Sequence, residues 1–100
     1  MKTLPIDLPK AEINLICQQY NISKLSLFGS VLRHDFTTES DIDILVEFEP
    51  GKTPGLAIIR IEDELSHLLG RVVDLRTPKD LSRYFRDWVL QEAMVIYEQS

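Results

Sequence analysis

The stretch from Glu39 to Glu49 contains five acidic residues and no basic one. Asp41 and Asp43 open a run in which polar and apolar residues alternate, so a strand there puts both carboxylates on one face, close together. Asp74 is a third acid in an unfavourable place, between Val73 and Leu75 in the middle of a short strand pattern. If the two strands are neighbours, all three carboxylates converge. Like charges at that range repel and raise one another's pKa. A divalent cation held through oxygen is the simplest compensation, and magnesium takes a few carboxylates together with substrate phosphates. Gly29-Ser30 supplies a place for phosphate, because it ends a strand pattern and opens a helical turn. Backbone N–H groups and a hydroxyl can meet phosphate oxygens there, and glycine lets a ligand approach the backbone.

Each feature also has an ordinary use. Asp-x-Asp at a strand start serves as a turn or a solvated edge, and Gly-Ser after a strand is commonplace. The signal is the combination: strand, Gly-Ser, ten residues, Asp-x-Asp on a second strand, and an aspartate on a third.

The elements that must position these groups follow from periodicity. Pro9 suits the first turn of a helix, in which Ile13, Ile16, Cys17 and Tyr20 recur at helical spacing up to Asn21. Lys24 to Phe28 reads as a strand and Val31 to His34 as one helical turn. Asp41 to Glu49 is a strand with Asp41, Asp43, Leu45 and Glu47 on one face and Ile42, Ile44, Val46 and Phe48 on the other. After a loop bracketed by Pro50-Gly51 and Pro54-Gly55, Ile58, Ile61, Leu65, Leu68 and Leu69 mark an amphipathic helix that ends at Gly70. Arg71 to Arg76 is a third strand. Thr77-Pro78 starts a final helix with Leu81, Phe85 and Val89 facing inward, and most of the aromatic segment Tyr84 to Val89 is expected in the core, with Trp88 the exception. Ala93 to Tyr97 continues that helix or forms a second one. Helices packed on a small mixed sheet are the economical arrangement.

The 100 residues suit one domain. No apolar run is long enough to span a bilayer, since the longest is Ala93 to Tyr97. Lys2 has no apolar run behind it, so a signal peptide is not expected. The lone Cys17 excludes an intrachain disulfide, no Cys/His cluster suggests zinc, and a reducing cytoplasm is the expected location. The net charge of −5 argues against a broad grip on nucleic acid, although Arg71, Arg76, Lys79, Arg83 and Arg86 would allow a local basic patch. Lys52 reads as a solvated loop residue, and His34 and His67 stand outside any cluster.

Leu27-Phe28-Gly29-Ser30 with Arg33, then Ser40-Asp41-Ile42-Asp43-Ile44-Leu45-Val46, then Val72-Val73-Asp74-Leu75, together resemble the nucleotidyltransferase superfamily of DNA polymerase beta. In particular they look like its minimal nucleotidyltransferases, stand-alone domains of about this size. Arg86, Glu92-Ala93 and Tyr97 resemble the closing helix of those domains. The resemblance covers residues 24–97 of a single expected domain, 1–100, and departs from the family at His34, where glycine is common.

The resemblance implies an α/β (α+β) fold, a small mixed sheet with helices packed against it. It implies catalytic and metal-site carboxylates at Asp41, Asp43 and Asp74, the first two holding two Mg²⁺ ions and the third positioning or activating the attacking hydroxyl. It implies that Gly29 and Ser30, with Arg33, bind the nucleotide. The implied reaction moves AMP from ATP to a hydroxyl of a partner protein. That partner would be a HEPN-type ribonuclease toxin modified on a tyrosine, with this chain as its antitoxin in a hetero-oligomer. Two other readings stay open: neutralisation by binding alone, and nucleotidyl transfer to RNA or a small molecule.

Overall fold

Pro9 begins helix α1 (Lys10–Gln19), its carbonyl accepting the N–H of Ile13 at 3.0 Å in a computed structural model that describes residues 4–52 and 54–99. Lys2 lies outside the described residues. Ile13 and Cys17 are buried on one face of α1, with Ile16 and Tyr20 half-buried beside them. Asn21, at φ 58°, turns the chain into strand β1 (Ile22–Phe28), and asparagine is among the few residues that accept the left-handed region. A 3₁₀ turn, Gly29–Leu32, leads by a loop to strand β2 (Ile42–Phe48). Helix α2 (Ala57–Leu69) follows and stops at Gly70, at φ 68°, whose N–H reaches Ser66 O. Strand β3 (Val73–Arg76), a 3₁₀ turn at Pro78–Asp80, helix α3 (Arg86–Glu92) and strand β4 (Met94–Glu98) complete the order.

The sheet order is β3-β2-β1-β4. β1 runs antiparallel to β2 and to β4, and β2 runs parallel to β3. This is the small mixed sheet expected. Helices α1 and α2 cover one face, where Ile13, Cys17, Ile61 and Leu65 pack on Leu25, Leu27, Ile42, Ile44, Val46 and Val73. Each such side chain contributes about 1.5–3 kcal/mol by leaving water. The Tyr20 hydroxyl donates to the Glu64 carboxylate and pins α1 to α2.

Three expectations are corrected. Ala93 to Tyr97 is not helical: Ala93 leaves α3 with ψ 141° and the run becomes β4, pairing Leu27 with Met94 and Leu25 with Tyr97. An apolar run without alternation fits helix or strand equally, and the open side of β1 decides it. The helix expected from Thr77-Pro78 is a 3₁₀ turn, a bend and the short α3, so Tyr84, Phe85 and Trp88 are 86%, 48% and 56% exposed instead of mostly buried. Only the exposure of Trp88 was expected. Finally, Leu45 is buried although it shares the aspartate face of β2, because Leu81 and Val89 return across that face and form a second cluster with it, against Phe28 and Ala93.

Candidate active site

Period two puts Asp43 on the face of β2 opposite Ile42 and Ile44, whose side chains are buried under the helices. In the parallel register its partner is Asp74 on β3. Two carboxylates therefore stand side by side on adjacent strands, about 4.8 Å apart in backbone. On the other flank, Phe28 is the register partner of Asp43, so β1 ends beside that carboxylate.

The chain passes Asp43 at Gly29, with φ 75°. A Cβ on Gly29 would lie 3.2 Å from Asp43 Cγ and closer still to Oδ2. Backbone angle and close approach each demand glycine here. Ser30 follows in the turn, whose last bond is Arg33 N–H to Ser30 O at 2.9 Å, and buried Val31 anchors it. Arg33 is exposed, with Nε 3.4 Å from Asp35 Oδ1.

Asp41 is exposed at the entrance to β2. Arg71 holds the loop before it: Nη1 donates to Thr37 O at 3.0 Å and Ser40 O at 3.2 Å, and the guanidinium lies 4.6 Å from the Phe36 ring centre. Within the loop, Thr37 N–H donates to Ser40 Oγ at 2.9 Å. Ile42 N–H then donates to Val72 O at 2.9 Å. β3 is fixed from its outer side by α2. Val73 N–H donates to Ser66 Oγ at 3.0 Å and Leu75 N–H to Glu62 Oε2 at 2.9 Å, with Asp74 between them. Arg76 donates to Asp74 Oδ2 from Nε and Nη2, both at 3.3 Å.

The carboxyl of Asp43 has its pKa raised. Burial is the main cause, Asp74 and Asp41 add to it, and Arg76 and Arg33 oppose it. Among the described residues no group of three or more His, Cys, Asp or Glu side chains is gathered closely enough to cage a metal by itself. The donor set still suits a hard cation, because it is all oxygen and leaves coordination positions for phosphate and water. The Gly29 cradle keeps the space next to Asp43 clear. The residues present therefore fit magnesium.

The structure thus brings together Asp43, Asp74 and Gly29, with Ser30 next in the turn, and sets Asp41 and Arg33 at the margin. Sequence reasoning missed Glu62 and Ser66, which hold β3, and the clamping role of Arg71. The proposed basic patch is largely committed elsewhere: Arg71 binds the loop, Arg76 binds Asp74, and Arg86 binds Pro78 O at 2.7 Å and Leu81 O at 2.8 Å. Beside Gly29 a cleft of about 480 Å³ opens between the 3₁₀ turn and α3, lined by Phe28, Arg33, Phe85, Trp88 and Glu92 among others.

Residues 11–100 match the family described as Polymerase beta, Nucleotidyltransferase. A protein of Methanocaldococcus jannaschii, MJ0435, provisionally named a protein adenylyltransferase, is 38% identical over 85 residues, which cover 85% of this chain and 90% of that protein. The protein adenylyltransferase MntA of Thermococcus cleftensis is 34% identical over 80 residues, 79% of each chain. A solved structure provisionally described as a minimal nucleotidyltransferase superposes with a TM-score of 0.71 at 34% identity, covering 85% of this chain and 86% of that one. The fold also matches the solved complex of a tri-AMPylated Shewanella oneidensis HEPN toxin with its MNT antitoxin, with a TM-score of 0.63 at 20% identity, covering 90% of this chain and 70% of that one.

Proposed function

Because the chain belongs to the polymerase beta nucleotidyltransferase family, we propose that it is a minimal, single-domain protein adenylyltransferase that moves AMP from ATP to a hydroxyl on a partner protein. The observation that carries this reading is the register pairing of Asp43 with Asp74 beside the Gly29 turn. The protein adenylyltransferase names of relatives support the transfer to protein. The AMPylated HEPN toxin held by a structural neighbour supports a HEPN-type toxin as the acceptor and this chain as its antitoxin; the acceptor hydroxyl in this proposal is a tyrosine's.

In this mechanism the acceptor oxygen attacks the α-phosphorus, the bond from that phosphorus to the bridging oxygen breaks, and pyrophosphate leaves. The N–H groups and hydroxyl of the Gly29-Ser30 turn hold the β- and γ-phosphates, and Arg33 adds positive charge. Asp74, beside Asp43, orients the attacking hydroxyl and takes its proton. Arg71, Glu62 and Ser66 keep the strands and loop that carry the aspartates in place. Asp41, Asp43 and Asp74 would hold magnesium together with phosphate and water, since the three carboxylates make no cage by themselves, and two bound Mg²⁺ ions would supply charge stabilisation at the attacking and leaving oxygens. Most of the rate gain in such a site is positioning and electrostatics. A cytoplasmic location is part of the proposal.

The test is transfer of label from α-labelled ATP to a HEPN partner in the presence of Mg²⁺. The parent protein should label the partner and the Asp41→Ala, Asp43→Ala double variant should not. Equal labelling by the variant would overturn the catalytic reading. The engagement of Arg71 and Arg86 with backbone carbonyls weakens the alternative of transfer to RNA.

A further inference from the structure

Strand β3 carries one acid and one cation, Asp74 and Arg76, and period two puts them on the same face. Arg76 reaches back along the strand, with Nε and Nη2 both 3.3 Å from Asp74 Oδ2. Among the described residues no other donor contacts that carboxylate, so Oδ1 is free. We infer that Arg76 is a positioning residue for the transfer reaction: by holding Oδ2 it fixes the Asp74 side chain so that Oδ1 faces the acceptor hydroxyl. The inference rests on the proposed reading of Asp74 as the group that meets that hydroxyl, and it adds the residue that aims it. In the step served, the hydroxyl proton passes to Oδ1 as the new oxygen–phosphorus bond forms. Pyrophosphate leaves with the electron pair of the bond that breaks.

Three observations support an aiming role. The first is what remains to be fixed. Ser66 and Glu62 anchor the amides of Val73 and Leu75 on either side of Asp74, so only its side-chain torsions are left open. A short side chain on a held backbone has few rotamers, and a planar fork of fixed donor geometry selects among them. The second is repulsion. Asp43 is the register partner of Asp74, and an unheld carboxylate would swing from it toward water. Of the two guanidiniums that oppose the raised pKa of Asp43, Arg33 pairs with Asp35 and Arg76 with Asp74. The third is exposure. The Arg76 and Asp74 side chains are 47% and 37% exposed, and ion pairs that open to water add little to stability. The value of this contact lies in where it leaves the second oxygen, because a misplacement of about 1 Å can cost about a hundredfold in rate.

The experiment measures AMP transfer to the HEPN partner in Mg²⁺ against ATP concentration. It compares the parent, Arg76→Gln, Arg76→Lys, Asp74→Asn and the Asp74→Asn, Arg76→Gln double variant. Arg76→Gln should lower kcat by about tenfold to a hundredfold, hold KM for ATP within about twofold and melt with the parent. Arg76→Lys, which keeps a charged donor, should recover part of the loss. On the Asp74→Asn background Arg76→Gln should cost nothing further, because its effect runs through the aspartate. The contact itself is read without turnover: the Arg76 Nε–H resonance in ¹⁵N spectra should shift when Asp74→Asn is introduced. An unmoved resonance, or a parent-like kcat in Arg76→Gln, would overturn the positioning role and leave the proposed function standing. A raised KM with unchanged kcat would assign Arg76 to the phosphates instead, and an added loss on Asp74→Asn would assign it a role apart from Asp74. Loss of the fold in both Arg76 variants would make the residue structural. Each of these outcomes overturns the inference. A parent that transfers no AMP would overturn the proposed function, and the role of Arg76 with it.

Discussion

Asp43 and Asp74 are register partners on two parallel strands, and the Asp74 carboxylate opposes the ionisation of Asp43. Without a bound cation this relationship costs the fold stability, and the cost depends on pH.

Burial and the neighbouring acids raise the Asp43 pKa above its value in the unfolded chain. The native state therefore holds that proton more tightly, and the associated stability is present at low pH and lost as pH rises through the folded value. Asp43→Asn should raise the unfolding free energy in chelator at neutral pH, by an amount on the order of 1 kcal/mol or less given the partial exposure, and with it the melting temperature. The gain over the parent should shrink toward acid. The same variant should lose AMP transfer. Melting curves across acid to neutral pH in chelator check the sign.

Gly29 and Gly70 share a positive φ but differ in surroundings: a Cβ at Gly29 meets Asp43, and one at Gly70 meets nothing within 4 Å. Gly70→Ala should cost about 1 kcal/mol from its backbone angle alone and keep transfer activity. Gly29→Ala should cost more, about 1–3 kcal/mol, and displace the Asp43 carboxylate, lowering transfer by more than about tenfold. Similar activity losses for both variants would show that close approach to Asp43 is not the determinant.

Glu62 has no contact with the phosphate turn in this mechanism, but its carboxylate accepts the Leu75 N–H. Glu62→Ala should leave that amide without a protein partner, costing about 1–3 kcal/mol. Amide exchange at Leu75 should quicken, and AMP transfer should fall while nucleotide affinity holds. By comparison, Ile44→Ala in the fully buried core should cost about 2–5 kcal/mol.

Burial pushes the Cys17 thiol up to about 12. The unfolded chain ionises its thiol near 9, so the native state binds more proton between these values. Stability should be complete below about pH 9 and fall as pH rises toward 12. Cys17→Ala should flatten this alkaline slope while lowering stability at neutral pH through the small void it leaves. Denaturant titrations at a series of alkaline pH values measure both effects.

The approach of Asp43, Asp74 and Gly29 was legible in the sequence because acids inside alternating strand patterns and a glycine at a strand end conflict with local preference, whereas Asp41, expected to converge with them, stays at the margin. Such conflicts point to a site. The segment after Thr77 was not legible, because its structure is decided by distant partners. Ala93 to Tyr97 becomes a strand through the free side of β1, and Leu45 is buried only because Leu81 and Val89 return to it. Helical spacing grouped Phe85 with Val89, but spacing says nothing about what stands opposite a side chain. Glu62 and Ser66 carry no sequence signal, because their partners are the amides of β3, which only the fold lays alongside α2.

The capping of β3 by Glu62 and Ser66 also limits how another protein can approach. The outward amides at Val73 and Leu75 are already occupied by helix side chains, so that margin offers no ladder on which an incoming strand could extend the sheet. A visiting chain that reaches this end of the sheet must therefore come down onto the aspartate face from above, presenting a protruding hydroxyl, and strand pairing is left to the opposite edge, β4.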